Sequence, residues 1–207
     1  MSTTVIGNRN AKCVLSTLIL GCSLSSVFMP AAHAAKAQSN TVPVDNGIAS
    51  LALGKHTLVG LRALRENYNA HSFEVVAFYF RDTSDGKPQL NLVPIFGTDK
   101  GKRKELYEIT VGGGADCKLS DFRLLKAQGR QPARLVVAQR DPGDSFVAPG
   151  VVQFIYYDLM QNDEGVPGEP PLYFEEKTRA NSRQKYCEVN DAFERELGMG
   201  ASSGRGL

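Results

Sequence analysis

The sequence predicts a mainly β fold (α+β): an antiparallel sheet or small sandwich of about seven to eight strands with one C-terminal helix. Three observations lead there. Between residues 51 and 198, short apolar runs alternate with Gly, Pro, Asn and Asp, the residues that end strands and build turns. The run from Ser72 to Asp82 alternates along its length, with Phe73, Val75, Ala77 and Tyr79 on one face and Val76, Phe78 and Phe80 on the other. Near the end, Tyr186, Val189, Phe193 and Leu197 recur at spacings of three, four and four, which places them on one helical stripe.

Taken in order, Ser72 to Asp82 is apolar on both faces and reads as a central strand covered on both sides. Ser84-Asp85-Gly86 turns it into Leu90 to Phe96, so the two runs form a hairpin. Pro94 has no N–H to give a ladder and places the second strand near an edge or a bulge. Leu106 to Val111 reads as a shorter strand leaving through Gly112-Gly113-Gly114. Leu119 to Ala127 and Ala133 to Gln139 flank the turn Gly129 to Pro132 and pair naturally. Val151 to Leu159 is another buried run, and a Gly/Pro-rich loop over 161–171 leads to a strand at Leu172 to Lys177. The helix then starts at a cap on Asn181 or Ser182 and ends at Gly198.

Residues 1–34 read as a cleaved signal peptide. Arg9 and Lys12 form a positive start, Cys13 to Met29 an apolar run, and Ala32-His33-Ala34 the small-residue site, with cleavage between Ala34 and Ala35. Seventeen residues with several Ser are short for the ~30 Å hydrocarbon core, so no membrane span is expected. Ile19-Leu20-Gly21-Cys22 loosely matches a lipid-attachment site, but Leu20 is bulky there and the apolar run continues past Cys22. Residues 35–50 read as a flexible lead-in, 51–198 as one globular domain and 199–207 as a flexible tail. The location expected is periplasmic or secreted.

Removing Arg9 and Lys12 from the 24 basic residues leaves 22, against 22 acidic ones. A formally neutral domain lacks the electrostatic footprint of a nucleic-acid binder. Cys13 and Cys22 leave with the leader, so Cys117 and Cys187 form one disulfide in an oxidising compartment or stay as two buried thiols. Two cysteines with no neighbouring His do not make a zinc site, and neither a metal nor a cofactor is expected.

Motifs of catalysis are fragmentary. Gly143-Asp144-Ser145 matches part of a hydrolase block, yet no His follows residue 71 to serve as its base. Ser182 and Lys185 match Ser-x-x-Lys, but no Ser-Asp-Asn or Lys-Thr-Gly completes a serine β-lactamase site. Asp82 to Gly86 offers too few oxygen ligands for calcium and suits a turn. Lys100 to Lys104, flanked by Asp99 and Glu105, reads as a solvated turn. The chain is therefore expected not to be an enzyme. Two polar sets at strand ends remain as binding candidates: Arg65, Glu66, Asn67 and His71 before the central strand, and Asp121 with Arg123 beside Cys117.

RENYNAHSFEVVAFY (65–79), LNLVPIF (90–96), GGGADCKLSDFRLL (112–125), LVVAQRDPGDSF (135–146) and YCEVNDAFEREL (186–197) together resemble exported bacterial proteins of the carbapenem self-resistance, CarG-like, family. The resemblance implies a periplasmic protein that protects its cell from a carbapenem by binding rather than hydrolysis. A guanidinium grips a carboxylate with two hydrogen bonds, which makes Arg65 or Arg123 the sensible partner for a β-lactam acid. The alternative is an exported inhibitor or immunity protein for an envelope enzyme or toxin, with the acidic loop Asp158 to Glu169 mimicking an anionic substrate.

Overall fold

A computed structural model describes residues 40–54, 56–68, 72–82, 86–113, 116–143 and 145–200. The signal-peptide reading, the Ala34–Ala35 cleavage site, Cys22, His71 and Asp144 lie outside the described residues. Twelve strands and one helix follow in chain order: β1 Thr41–Val42, β2 Gly47–Leu53, β3 His56–Arg65, β4 Phe73–Asp82, β5 Gln89–Leu92, β6 Ile95–Asp99, β7 Lys102–Leu106, β8 Ile109–Gly112, β9 Ser120–Leu125, β10 Arg134–Arg140, β11 Gly150–Gln161, β12 Leu172–Tyr186 and α1 Val189–Leu197. All twelve strands belong to one mixed sheet in the order β2-β3-β4-β8-β9-β10-β11-β12-β6-β7, with β1 on β9 and β5 on β4.

The mainly β class and the single described helix agree with the sequence reading, but the count of seven to eight strands and the purely antiparallel pairing do not. Three of the extra strands come from residues 41–65. The segment read as a lead-in is sheet from Thr41, and Val42 and Val44 are buried. GIASLAL of β2 is rich in small residues, so its alternation carries little hydrophobic contrast. Gly60 permits this packing, since a Cβ there would lie 3.2 Å from Val44 Cγ1. The run Leu106 to Val111 is split at Tyr107 and Glu108 between β7 and β8, and Lys102 to Lys104 are strand rather than turn.

The β4–β5 hairpin forms as expected, but Pro94 ends it and β6 departs to pair in parallel with β12. Val93 N–H donates to Phe78 O (2.8 Å), and Phe174 N–H donates to Pro94 O (2.9 Å). The kinked run 89–99 therefore bridges β4 to β12, and the sheet curls around its larger core while β2 and β7 remain its edges. At the centre of that core Phe78 meets Phe174 and Phe122 edge-on, with ring centroids 5.2 Å and 6.2 Å away. β4 is covered chiefly on one side: Val76, Phe78 and Phe80 are buried, whereas Phe73, Val75, Ala77 and Tyr79 are half-buried.

β12 is 15 residues long and absorbs the segment expected to start the helix. Asn181 and Ser182 are strand residues, and α1 begins after Glu188. The long strand follows β11 through two register shifts, one of them between Val151 and Gln153. There Ser182 Oγ accepts from Val152 N–H (3.0 Å) and donates to Gln184 O (2.6 Å). Ser182→Ala would strand that buried N–H, and a loss of about 1–3 kcal/mol is expected in urea unfolding. A loss below a few tenths would show that the bulge is satisfied without the hydroxyl.

Helix α1 packs on the opposite side of the sheet, where Val189, Ala192 and Phe193 cover Val136, Ala138, Val152 and Phe154. Gly198 ends it in the left-handed conformation (φ 64°), as expected of that glycine. Met199 still packs against this smaller core, so the ordered chain continues past the expected boundary. Cys117 and Cys187 are bonded, with Cα atoms 5.5 Å apart, which ties the residue just before α1 to the approach to β9.

Candidate functional site

Period-two alternation puts every second residue of β9, β10 and β11 on the inner, curled face, and the registers stack these residues in layers. Leu124, Leu135 and Tyr157 form one cross-strand row, and Phe122, Val137 and Ile155 the next. Both rows are buried in the larger core. The third row is Ser120, Gln139 and Gln153, extended by Asn181 of β12. The inner face thus changes from apolar to polar within one step along each strand.

A groove of about 740 Å³ opens at this polar row, and all four of its residues line it. Leu106, Ile109 and Val151 add apolar wall, and Glu108, Asp141 and Arg140 add charge. Among the described residues, two buried side-chain polar atoms lack a hydrogen-bond partner, Ser120 Oγ and Arg140 Nε. Both belong to residues that line this groove. A buried polar atom left unpaired costs about 1–3 kcal/mol, which marks the Ser120 hydroxyl on the inner face. Arg140 shares the parity of Val136 and Ala138 and turns its side chain to the helix side of the sheet. The other nitrogens of Arg140 donate to Ala148 O (2.7 Å) and to Phe146 O, which fixes the 146–148 segment beside the Cys117–Cys187 bond.

Behind the row lies a set of charges already matched to one another. Arg179 Nε donates to Glu176 Oε1 (2.7 Å), and its Nη2 donates to Thr98 O (2.6 Å) and Glu176 Oε2 (2.8 Å). Its Nη1 reaches Gln153 Oε1 at 3.3 Å. The guanidinium holds the Glu176 carboxyl below the usual carboxylate range, helped by the Thr98 N–H. Burial and the nearby Glu176 charge push the Tyr157 hydroxyl up to about 12, so it stays a neutral donor.

The sequence candidates fall in two separate places. Arg65 ends β3 opposite Phe73, and Glu66 and Asn67 follow in the β3–β4 connection; Phe73 also pairs with Gly112, which brings this turn to one end of the groove. There Arg65 donates to Glu66 O, Glu66 accepts from Tyr68 N–H (2.8 Å), and Asn67 N–H donates to Ser72 Oγ (3.2 Å). Hydrogen bonds from Ser72 and the Tyr68 N–H lower the Glu66 pKa.

Asp121 and Arg123 point to the other side of β9, beneath α1. Arg123 is fully buried, lies 4.1 Å over the Phe193 ring, and donates to Asn190 Oδ1 (2.8 Å), Gly200 O (2.6 Å) and Phe122 O (2.7 Å). It is committed to the fold, and the expectation that it offers two hydrogen bonds to a ligand carboxylate is corrected on that ground. The acidic loop is also tied back. Arg134 holds Asp158 (2.6 Å), while Arg103 holds Glu169 and Glu175 (2.8 Å each) and stacks on Phe96 at 3.6 Å.

Ser182 and Lys185, three apart on a strand, face opposite ways and cannot share a helical turn. Among the described residues, no group of three or more His, Cys, Asp or Glu is placed to hold a metal ion, and no helix is long and apolar enough to cross a membrane. Ser120, Gln139, Gln153 and Asn181 were not singled out from the sequence. The available signal was their parity, since Gln139 occupies the position after Leu135 and Val137 where another apolar residue would continue the core.

No family model matches this chain, and no curated protein matches it. Among solved structures, its fold is similar to that in "Crystal structure of CarG", with a TM-score of 0.57 and 18% sequence identity over 78% of this chain and 98% of that one.

Proposed function

We propose that this chain is an exported, non-enzymatic binding and resistance protein that holds a carbapenem or related β-lactam in the groove and protects its cell without hydrolysing the drug. The observation that carries the reading is the polar row Ser120, Gln139, Gln153 and Asn181, set on the concave face with an unsatisfied buried hydroxyl at one end. Concave sites with a few convergent polar groups in an apolar wall are the usual form of a small-molecule site. The choice of ligand rests on the CarG-like sequence resemblance and is supported by the likeness in fold. Binding without turnover is supported by the chemistry of Ser120. Its Oγ has no hydrogen-bonded base, and an unactivated hydroxyl is a poor nucleophile.

Expression of the full chain in a carbapenem-sensitive bacterium tests this reading. Raised survival with intact drug recovered from the culture is expected. Protection accompanied by ring opening would replace sequestration with hydrolysis.

A protein partner is the second reading. Phe146 and Val147 are more than half exposed, and Val151 at the groove is 45% exposed, an apolar surface that a protein would cover. The mimicry once assigned to the acidic loop loses support, because Asp158 and Glu169 are paired internally.

A further inference from the structure

We infer that the polar row reads the amide groups of its ligand, with the Gln153 carboxamide as the oriented donor to a ligand carbonyl. The inference rests on the binding reading above and assigns its chemistry. Arg179 has only N–H groups to offer, so the Gln153 atom facing it at 3.3 Å is the side-chain oxygen. Arg179 is itself held by Glu176 and Thr98 O, which fixes that end of the carboxamide. The NH2 end of Gln153 is then left as a donor pair on a residue that lines the groove.

Its neighbours on either side supply both signs of hydrogen bond. Gln139 and Asn181 are exposed and line the groove, and each carries one carbonyl and one NH2. The Ser120 hydroxyl, buried and unpaired, both donates and accepts. All four side chains are neutral. They stand on adjacent strands, about 4.8 Å apart, so the row spans roughly 14 Å. A ligand that satisfies it is elongated across the strands and carries spaced amide carbonyls and N–H groups. A bicyclic β-lactam with an acylated side arm has this chemistry, and so does a short blocked peptide. A simple ion has not, and a ligand recognised mainly through a carboxylate would leave the row unsatisfied.

The substitution that isolates the claim is Gln153→Glu. It keeps the shape and the oxygen that Arg179 needs, but replaces the donor end by an acceptor. The full-length protein and its Gln153→Glu, Ser120→Ala and Arg130→Ala variants would be titrated calorimetrically with meropenem and with N-acetyl-dialanine amide, with melting temperatures recorded alongside. The expected result is that at least one ligand binds, that Gln153→Glu weakens it tenfold or more, that Ser120→Ala weakens it severalfold, and that Arg130→Ala, in the exposed turn at the far end of β10, stays within twofold. Meropenem bound equally by wild type and Gln153→Glu, with the fold intact, would overturn the amide row and leave the β-lactam reading standing. The blocked peptide bound alone, with Gln153→Glu weakening it, would keep the row and overturn the β-lactam reading. Binding of neither would overturn both.

Discussion

Replacing Cys117 and Cys187 by Ser is expected to lower stability by about 4 kcal/mol, the chain-entropy value for a loop of this length. The effect should appear in two ways. The unfolded chain gains the freedom of the 70-residue separation that the bond removes. In the native state, Cys187 lies between the end of β12 and the start of α1, so the helix loses its covalent hold on the β9 side of the sheet. Lys118 N–H to Glu188 Oε1 (2.8 Å) and Val189 N–H to Lys118 O (3.1 Å) remain as the only close backbone links at that corner among those described. Denaturant unfolding of the oxidised protein and the double serine variant measures the difference. A loss below about 1 kcal/mol would mean that helix packing alone defines the corner.

Removing the Arg123 guanidinium is expected to cost about 3–5 kcal/mol, the range for breaking a buried charge network by deleting one partner. Arg123→Met removes the cation 3.3 Å from the Asp121 carboxylate, itself 1% exposed, leaves it the more distant Lys118 Nζ (3.7 Å), and strips partners from Asn190 Oδ1 and Gly200 O. Burial lowers the Arg123 pKa and Asp121 partly offsets this, so the charge is present and expensive to hold. Replacing both residues, Arg123→Met with Asp121→Leu, should recover much of the loss, because the buried carboxylate that lost its nearer cation goes with it. Urea unfolding of the two variants decides it. A double variant no better than the single one would show that packing against Phe193, rather than charge compensation, accounts for the cost.

Much of the fold was legible where hydrophobic contrast is high. The β4–β5 hairpin, the β9–β10 pair, the long buried β11, the Cys117–Cys187 bond and the Gly198 helix end all follow from alternation, turn residues and spacing. The failures have physical causes. β2 is rich in small residues such as Gly47, Ala49 and Ser50, whose burial depends on what they face rather than on their own hydrophobicity. β3, by contrast, with Leu58, Val59, Leu61 and Leu64, carries an apolar pattern that the sequence reading passed over. The second half of β12, TRANSRQKY, is polar and sits in the sheet because β11 pairs with it through a bulge, which no local pattern signals.

The candidate site failed for a related reason. Asp121 and Arg123 were noticed as charges beside a cysteine, but their spacing of two on a strand puts them on one face, under an amphipathic helix. Ser120, Gln139, Gln153 and Asn181 are scattered over sixty residues of chain; the first three merely border or interrupt apolar runs, and Asn181 sits in a polar stretch. Only the registers of four strands gather them into a row. Arg65, Glu66 and Asn67 lie nearer the groove, since Phe73 beyond their turn pairs with Gly112, which lines it.

The measurement that bears most directly on the central claim is a thermal melt of the oxidised protein with and without a carbapenem, with the drug's absorbance followed in the same cell. A ligand that binds only the native state adds about 2.7 kcal/mol at a hundredfold excess over Kd, which is several degrees for a domain of this size. A rise of that order with unchanged absorbance is the predicted result. No rise at millimolar drug, or a rise accompanied by loss of the β-lactam absorbance, would contradict it.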